Sequence, residues 1–196
     1  DLADGRFDVL RQGSAIDIDA DDTSVAEALR FPTTGGGDAH GFYYAPKNRA
    51  FEPLPGERPP LIVIGHGGPT SRALDAYRPA VQYWTSRGFA VLDVNYRGST
   101  GFGRAYRRQL EGQWGIADVD DCVAGAQHLV ARGDVDGQRL IIRGSSAGGF
   151  TTLAALAFRD TFACGASLYG IGDLQSLAED THKFESRYLD RLVGPW

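Results

Sequence analysis

The stretch that most constrains this chain is Gly144-Ser145-Ser146-Ala147-Gly148-Gly149, set between the apolar run Leu140-Ile141-Ile142 and the apolar stretch Phe150 to Phe158. It reads as a short buried strand, a sharp turn carrying serine, and a helix. A turn this tight strains the serine backbone, and its neighbours must lack bulk so that strand and helix can approach. The frame also selects the serine. Gly144 and Gly148 stand two residues either side of Ser146, whereas Arg143 and Ala147 flank Ser145 at that spacing. Ser146 is therefore the nucleophile candidate. The plainer alternative is a Gly/Ser-rich turn of the kind any α/β protein carries, and the strand before and helix after argue against it.

Strand, Gly-flanked serine and helix together form the nucleophile elbow of the α/β-hydrolase fold. A second feature fits it. The apolar run Leu61-Ile62-Val63-Ile64 ends in Gly65-His66-Gly67-Gly68-Pro69. In this fold the oxyanion hole takes one N–H from the residue after the nucleophile and another from a Gly-rich loop after an earlier strand. Here those are the amides of Ala147 and of Gly67 or Gly68. Each such donor lowers the barrier by about 2.7–4 kcal/mol. Alone, Gly-Gly-Pro would be only a turn.

Asp4-Gly5 followed by Phe7 to Leu10 reads as a hairpin turn and one short strand, and Asp17 to Thr23 as an acidic connector. Ala28–Phe31 and His40–Tyr44 read as paired strands around Thr33–Gly37, and the proline-rich Pro46–Pro60 as a loop. From Leu61 the pattern becomes βα alternation. A helix from near Pro79 to Arg87 shows Tyr77, Val81 and Trp84 on its apolar face and is capped by Gly88; Phe89–Val94 is a strand. Val119, Val123, Ala126, Leu129 and Val130 give a helix stopped by Gly133, followed by strands at Arg139–Arg143 and Ala163–Tyr169. This predicts a mostly parallel sheet with helices on both faces.

With 196 residues, 42% hydrophobic and 23% charged, the chain can bury a sizeable core. A net charge of −5 without a Lys/Arg-rich run argues against nucleic-acid or anionic-membrane partners, and no apolar run reaches membrane-span length. The polar N-terminus is unlike a signal peptide, so a cytoplasmic location is expected. Cys122 and Cys164 are expected as buried free thiols, and no metal site is expected without a CxxC spacing. Gly98-Ser99-Thr100-Gly101-Phe102-Gly103 lacks the dinucleotide-loop spacing, so no cofactor is expected. The chain starts at Asp1 and contains no Met, as a piece of a longer product would.

Taken together, His66-Gly67-Gly68-Pro69, Asn95-Tyr96-Arg97-Gly98-Ser99, Trp114-Gly115 with Asp118-Val119-Asp120-Asp121, and Gly144 to Gly149 resemble the catalytic domain of the prolyl oligopeptidase family of serine peptidases. The likeness runs from about Ser24 to Trp196, and the acylaminoacyl-peptidase and dipeptidyl-aminopeptidase-like branch is the nearest. The resemblance implies Ser146 as acyl-accepting nucleophile, with Ala147 and Gly68 N–H as oxyanion donors. It implies substrate contacts at His66 and Gly67; the alternative for the second oxyanion donor is a side chain at the position of His66, where several relatives place a Tyr hydroxyl. Phe184 falls near an aromatic wall of the specificity pocket, the alternative being core packing. Residues 1–14 resemble the last strand of a β-propeller, 15–60 a linker with the first hydrolase strands, and 61–196 the hydrolase core, truncated before its last strands.

In the family the acid and base of the triad lie beyond two further strands, past Trp196. Asp173 and His182 stand in the right order but share the one segment after a single strand, so they are expected to be surface or loop residues. His66 is too close to the oxyanion loop to serve as base, His128 lies mid-helix and His40 in the N-terminal strand pair. The expected activity of the parent is therefore hydrolysis of short peptides by an aminopeptidase, dipeptidyl- or acylaminoacyl-peptidase, the fragment alone being nearly inert. The alternatives are a carboxylesterase or a non-catalytic binding domain on the same fold. Expected partners are short peptides, the rest of the domain, the propeller and, in an oligomer, a second copy.

Overall fold

The computed structural model describes residues 4–11, 19–180 and 187–194. Six strands, β1 (Glu27–Pro32), β2 (Asp38–Tyr44), β3 (Leu61–Gly65), β4 (Ala90–Asn95), β5 (Leu140–Ser145) and β6 (Cys164–Leu168), form one sheet in the order β1-β2-β4-β3-β5-β6. β1/β2 and β2/β4 are antiparallel; β4/β3, β3/β5 and β5/β6 are parallel. The helices are α1 (Pro79–Thr85), α2 (Gly103–Arg108), α3 (Ala117–Arg132), α4 (Ala147–Phe158), α5 (Leu174–Asp180) and α6 (Leu189–Leu192).

Alternate residues of the central strands face opposite layers, which is why β3 is apolar up to Gly65 and β4 is buried throughout, its apolar run Ala90–Leu92 followed by the buried Asp93, Val94 and Asn95. Val63, Leu92 and Ile142 pack with Phe31 under α3 and α4, while Ile62 and Val91 pack with Tyr44 and Val81 under α1. α3 comes so close to the sheet that a methyl on Gly125 would lie 2.7 Å from Leu92 and 2.9 Å from Phe31. It ends as expected at Gly133, whose φ of 82° lets its N–H reach back to the carbonyls of Leu129 and Val130. Parallel register aligns Gly65 with Gly144, so β3 and β5 deliver their C-terminal ends, and the loops after them, to one place.

Three local expectations change. Phe7–Leu10 forms no strand, because a strand exists only through a ladder partner and none lies among the described residues. Tyr77 precedes α1 and is 51% exposed, and the helix closes at Thr85 with Ser86 as its cap. Cys122 is buried as expected, but Cys164 is exposed, because among the described residues β6 is an edge strand whose first residues are left uncovered. The segment after Gly98, for which the sequence suggested no element, contains α2, anchored by the buried Tyr106 hydroxyl donating to Asn95 O at 2.6 Å.

Candidate active site

Ser146 stands at the junction of β5 and α4 with φ 55° and ψ −120°, a conformation that costs a non-glycine residue about 1–3 kcal/mol. The surroundings hold it there. Its N–H donates to Leu168 O of β6 at 3.1 Å, and its carbonyl accepts from Phe150 N–H at 3.1 Å. The flanking glycines allow backbone to touch backbone. A Cβ on Gly144 would lie 2.2 Å from Gly148 O, one on Gly148 2.1 Å from Gly65 O, and one on Gly149 2.5 Å from Gly170 Cα. The side chain of Ser146 emerges exposed, whereas Ser145 is partly buried and lines a cleft on the α1 side of the sheet.

The loop after β3 wraps against the elbow, the nearest approach of a Cβ built on Gly67 being 3.2 Å to Ser145 O and 3.8 Å to Ser146 Cβ. Among the described residues nothing accepts a hydrogen bond from the N–H of Gly67, Gly68 or Ala147. Unpaired donors this close to a serine are a ready site for an oxygen anion. Gly68 has φ +124°, and a Cβ there would meet Thr70 N and Ser71 N at 2.8 Å, so only glycine fits.

What holds this loop comes from the segment Asn95–Ser99 at the end of β4. The fully buried Tyr96 stacks under the His66 ring at 4.1 Å, and its hydroxyl lies 2.9 Å from His66 O and 3.0 Å from Pro69 O. Burial pushes that phenol well above its usual pKa, so it stays a donor. Asn95 brackets Ala73 through both N–H and C=O, at 2.8 and 3.3 Å. His66 Nδ1 lies 2.8 Å from Gly67 O, and Nε2 lies 2.7 Å from Ser99 Oγ. A carbonyl can only accept, which assigns the proton to Nδ1. Burial lowers the ring pKa to about 4, against a smaller opposing effect of the Gly67 carbonyl, so the ring is neutral at pH 7. The C=O and N–H of one trans peptide point opposite ways. Gripping Gly67 C=O therefore aims Gly68 N–H in the opposite direction.

The Trp114–Asp121 segment braces the elbow from beneath. Asp118, fully buried on α3, accepts from Gly115 N–H at 2.6 Å and from the Thr151 hydroxyl of α4 at 2.5 Å. Burial raises its pKa to about 6 even though those hydrogen bonds oppose the shift. Asp121 accepts from Arg97 N–H at 2.6 Å and from Thr33 Oγ1 at 2.6 Å, tying α3 to the β4 loop and to the turn after β1.

The other histidines and Asp173 are engaged elsewhere. His40 stacks on Phe102 at 4.4 Å and His128 on Phe31 at 6.0 Å. Asp173 accepts from Gln175 N–H at 2.9 Å and Ser176 Oγ at 2.8 Å as an exposed cap of α5, which lowers its pKa. Phe184 and His182 lie outside the described residues. Tyr188 went unnoticed in the sequence. It begins α6 and places its hydroxyl 3.1 Å from Gly68 O and 2.7 Å from Thr70 Oγ1. Its only sequence signal was an aromatic four residues after Phe184.

Of the cavities among the described residues, two lie at opposite ends of the parallel strands. One of about 400 Å³ adjoins the elbow and is lined by His66, Gly67, Ser145, Arg143, Arg78 and Asp93. Asp93 is 1% exposed; one carboxylate oxygen is ion-paired with Arg78, and Oδ1 has no hydrogen-bond partner among the described residues. Burial raises its pKa to about 6, with Arg78 opposing. The larger cavity, about 680 Å³, lies under the Pro46–Pro60 loop beside Pro60, Gly88 and Arg139. It sits at the starts of the parallel strands, the end away from Ser146, whereas ligands of such sheets bind at the strand C-termini.

Residues 76–195 match the model of the prolyl oligopeptidase family. Dipeptidyl aminopeptidase BIII of Pseudoxanthomonas mexicana is 36% identical over 135 residues, which cover 68% of this chain and 20% of that protein. The acylamino-acid-releasing enzyme of Arabidopsis thaliana is 35% identical over 129 residues, covering 61% of this chain and 17% of that one. The solved structure of a Mycobacterium tuberculosis puromycin-hydrolyzing peptidase superposes with a TM-score of 0.96 at 47% identity, over 100% of this chain and 30% of that one. The chain thus spans about a fifth of its curated relatives' length and shares with its structural neighbours the α/β-hydrolase architecture described above. By sequence and by fold, this chain belongs to the prolyl oligopeptidase family.

Proposed function

We propose that the parent protein is a serine peptidase that hydrolyses short peptides, of the aminopeptidase, dipeptidyl- or acylaminoacyl-peptidase type, through an acyl-enzyme on Ser146. The observation that carries this reading is the strained, exposed Ser146, followed by Ala147 and packed against the Gly67-Gly68 loop, with no acceptor among the described residues for the N–H groups of Ala147 and Gly68. In the first step Ser146 Oγ attacks the scissile carbonyl carbon and gives up its proton to a base. The carbonyl oxygen becomes an anion that accepts from the two N–H groups. Collapse of the tetrahedral intermediate breaks the C–N bond, and the base returns the proton to the leaving amine. Water then repeats the sequence on the ester.

The base and its acid lie outside this chain in this reading. His66 cannot take the role, since both ring nitrogens are engaged and its ring is already committed to Gly67. The β6 edge and the buried Asp93 Oδ1, both without a partner among the described residues, support further parts of the domain packing against this chain. His66, Gly67 and Phe184 would face the substrate, and an N-terminal β-propeller would limit access to short chains. We place the protein in the cytoplasm, where Cys122 and Cys164 remain thiols.

The test is a fluorophosphonate probe on the full-length parent. Ser146 should be labelled, and Ser146→Ala should abolish labelling and lower kcat by about 10⁴-fold or more. Ser145→Ala should still label, and the 196-residue chain should label near background. Labelling of that chain at the parent's rate, lost on His182→Ala, would place the base within it instead. Turnover of simple esters without any peptide hydrolysis would make it an esterase.

A further inference from the structure

We propose that Tyr188 is a positioning residue for the oxyanion hole, acting through the Gly68 carbonyl; this rests on the serine peptidase reading above. The Gly67-Gly68 pair has no Cβ on either residue, so no side chain of the pair fixes the direction of Gly68 N–H. Two external grips do. On the peptide preceding Gly68, His66 Nδ1–H holds the Gly67 carbonyl at 2.8 Å. On the peptide following it, the Tyr188 hydroxyl lies 3.1 Å from the Gly68 carbonyl.

The donor inventory assigns the directions. A carbonyl oxygen only accepts, so the phenol proton goes to Gly68 O. The phenol oxygen is then free to accept from Thr70 Oγ1–H at 2.7 Å and, more weakly, from Thr70 N–H at 3.4 Å. Each proton thus has one acceptor. Thr70 lies two residues beyond Gly68, so one hydroxyl clamps both sides of the Gly68-Pro69-Thr70 turn.

The location of Tyr188 gives the clamp its meaning. It stands at the start of α6, and Gly112 and Trp114 N–H donate to Arg191 O and Leu192 O at 2.8 and 3.3 Å. Leu189 and Leu192 are buried in the main core. The clamp is therefore mounted on a packed element, braced by the same segment that leads into α3 and Asp118. Oxyanion donors must be aimed before charge develops, and misaim is felt in the transition state rather than in substrate binding.

The experiment uses the full-length enzyme with aminoacyl and acylaminoacyl p-nitroanilides. Tyr188→Phe should lower kcat by about tenfold with KM within about twofold, less than loss of a whole oxyanion donor. A peptide aldehyde, whose adduct places an oxyanion in the hole, should bind about tenfold more weakly, while product peptides bind as before. The unfolding midpoint should stay within about 2 °C of wild type. Thr70→Val, which removes the donor that orients the phenol, should shift kcat and aldehyde affinity in the same direction by a smaller factor, about threefold; it carries the test alone if Tyr188→Phe fails to fold. Unchanged kcat, or a fall in kcat with aldehyde affinity untouched, overturns the proposal. A wild-type enzyme that neither labels at Ser146 nor cleaves any of these substrates overturns the peptidase reading and this inference with it. An active wild type with an unaffected Tyr188→Phe removes this inference alone.

Discussion

A methyl group on Gly148 would sit 2.1 Å from the Gly65 carbonyl oxygen, with further backbone, His66 O, at 3.0 Å. Neither neighbour is a side chain that could swing away, so the cost falls on the strand–helix contact that shapes the elbow. Gly148→Ala should therefore destabilise the catalytic domain by about 2–3 kcal/mol. Gly172→Ala, with nothing within 4 Å of the added Cβ, should change it by less than about 0.5 kcal/mol. Denaturant midpoints of the two variants check the contrast, and equal shifts would mean that the elbow relaxes around the added carbon. The same crowding made the serine's frame readable from the sequence, because Gly144 and Gly148 are required by sterics whatever the rest of the protein does. The roles of Ser99 and Thr70 were not readable. Their hydroxyls act on residues 33 and 118 positions away, and a lone serine or threonine carries no sign of its partner.

At the level of elements, α3 meets α4 through Asp120, ion-paired with Arg159 just past α4, and through one buried carboxyl, Asp118, with its bonds to Gly115 and Thr151. Burial holds its pKa at about 6, above the ordinary 3.8, and the same is true of Asp93 under α1. A folded-state pKa raised above the unfolded value means the folded chain retains the proton longer. The stability this provides is full below about pH 3.8 and is lost as pH rises to about 6. Asp118→Asn, which keeps an acceptor for Gly115 and cannot ionise, should lose less stability than wild type between pH 4 and pH 7. Denaturation midpoints across that range measure the difference, and parallel curves would show that Asp118 keeps its charge at no cost. The helix carrying Asp118 was legible from its apolar period and Gly133. α2 was not, being six residues long and held by Tyr106 rather than by a pattern of its own.

On the scale of the whole molecule, the exposed Cys164 and the open cleft at Asp93 are two places where the fold is bare among the described residues. If further strands of the parent pair beyond β6, Cys164 should react with maleimide at least about tenfold faster in the 196-residue chain than in the full-length protein, with Cys122 protected in both. Equal rates would argue against a strand over that edge. The order of strands and helices, the elbow and the glycine-rich loop were all present in the sequence, because hydrophobic period, glycine placement and strand–turn–helix punctuation are local properties of a chain. Which N–H groups are left unpaired, that His66 is a neutral donor to its neighbour's carbonyl, and that Tyr188 reaches Gly68 were decided only in three dimensions. Each depends on burial and on partners brought together by the parallel register of β3 and β5, and neither desolvation nor proximity is written at any single position.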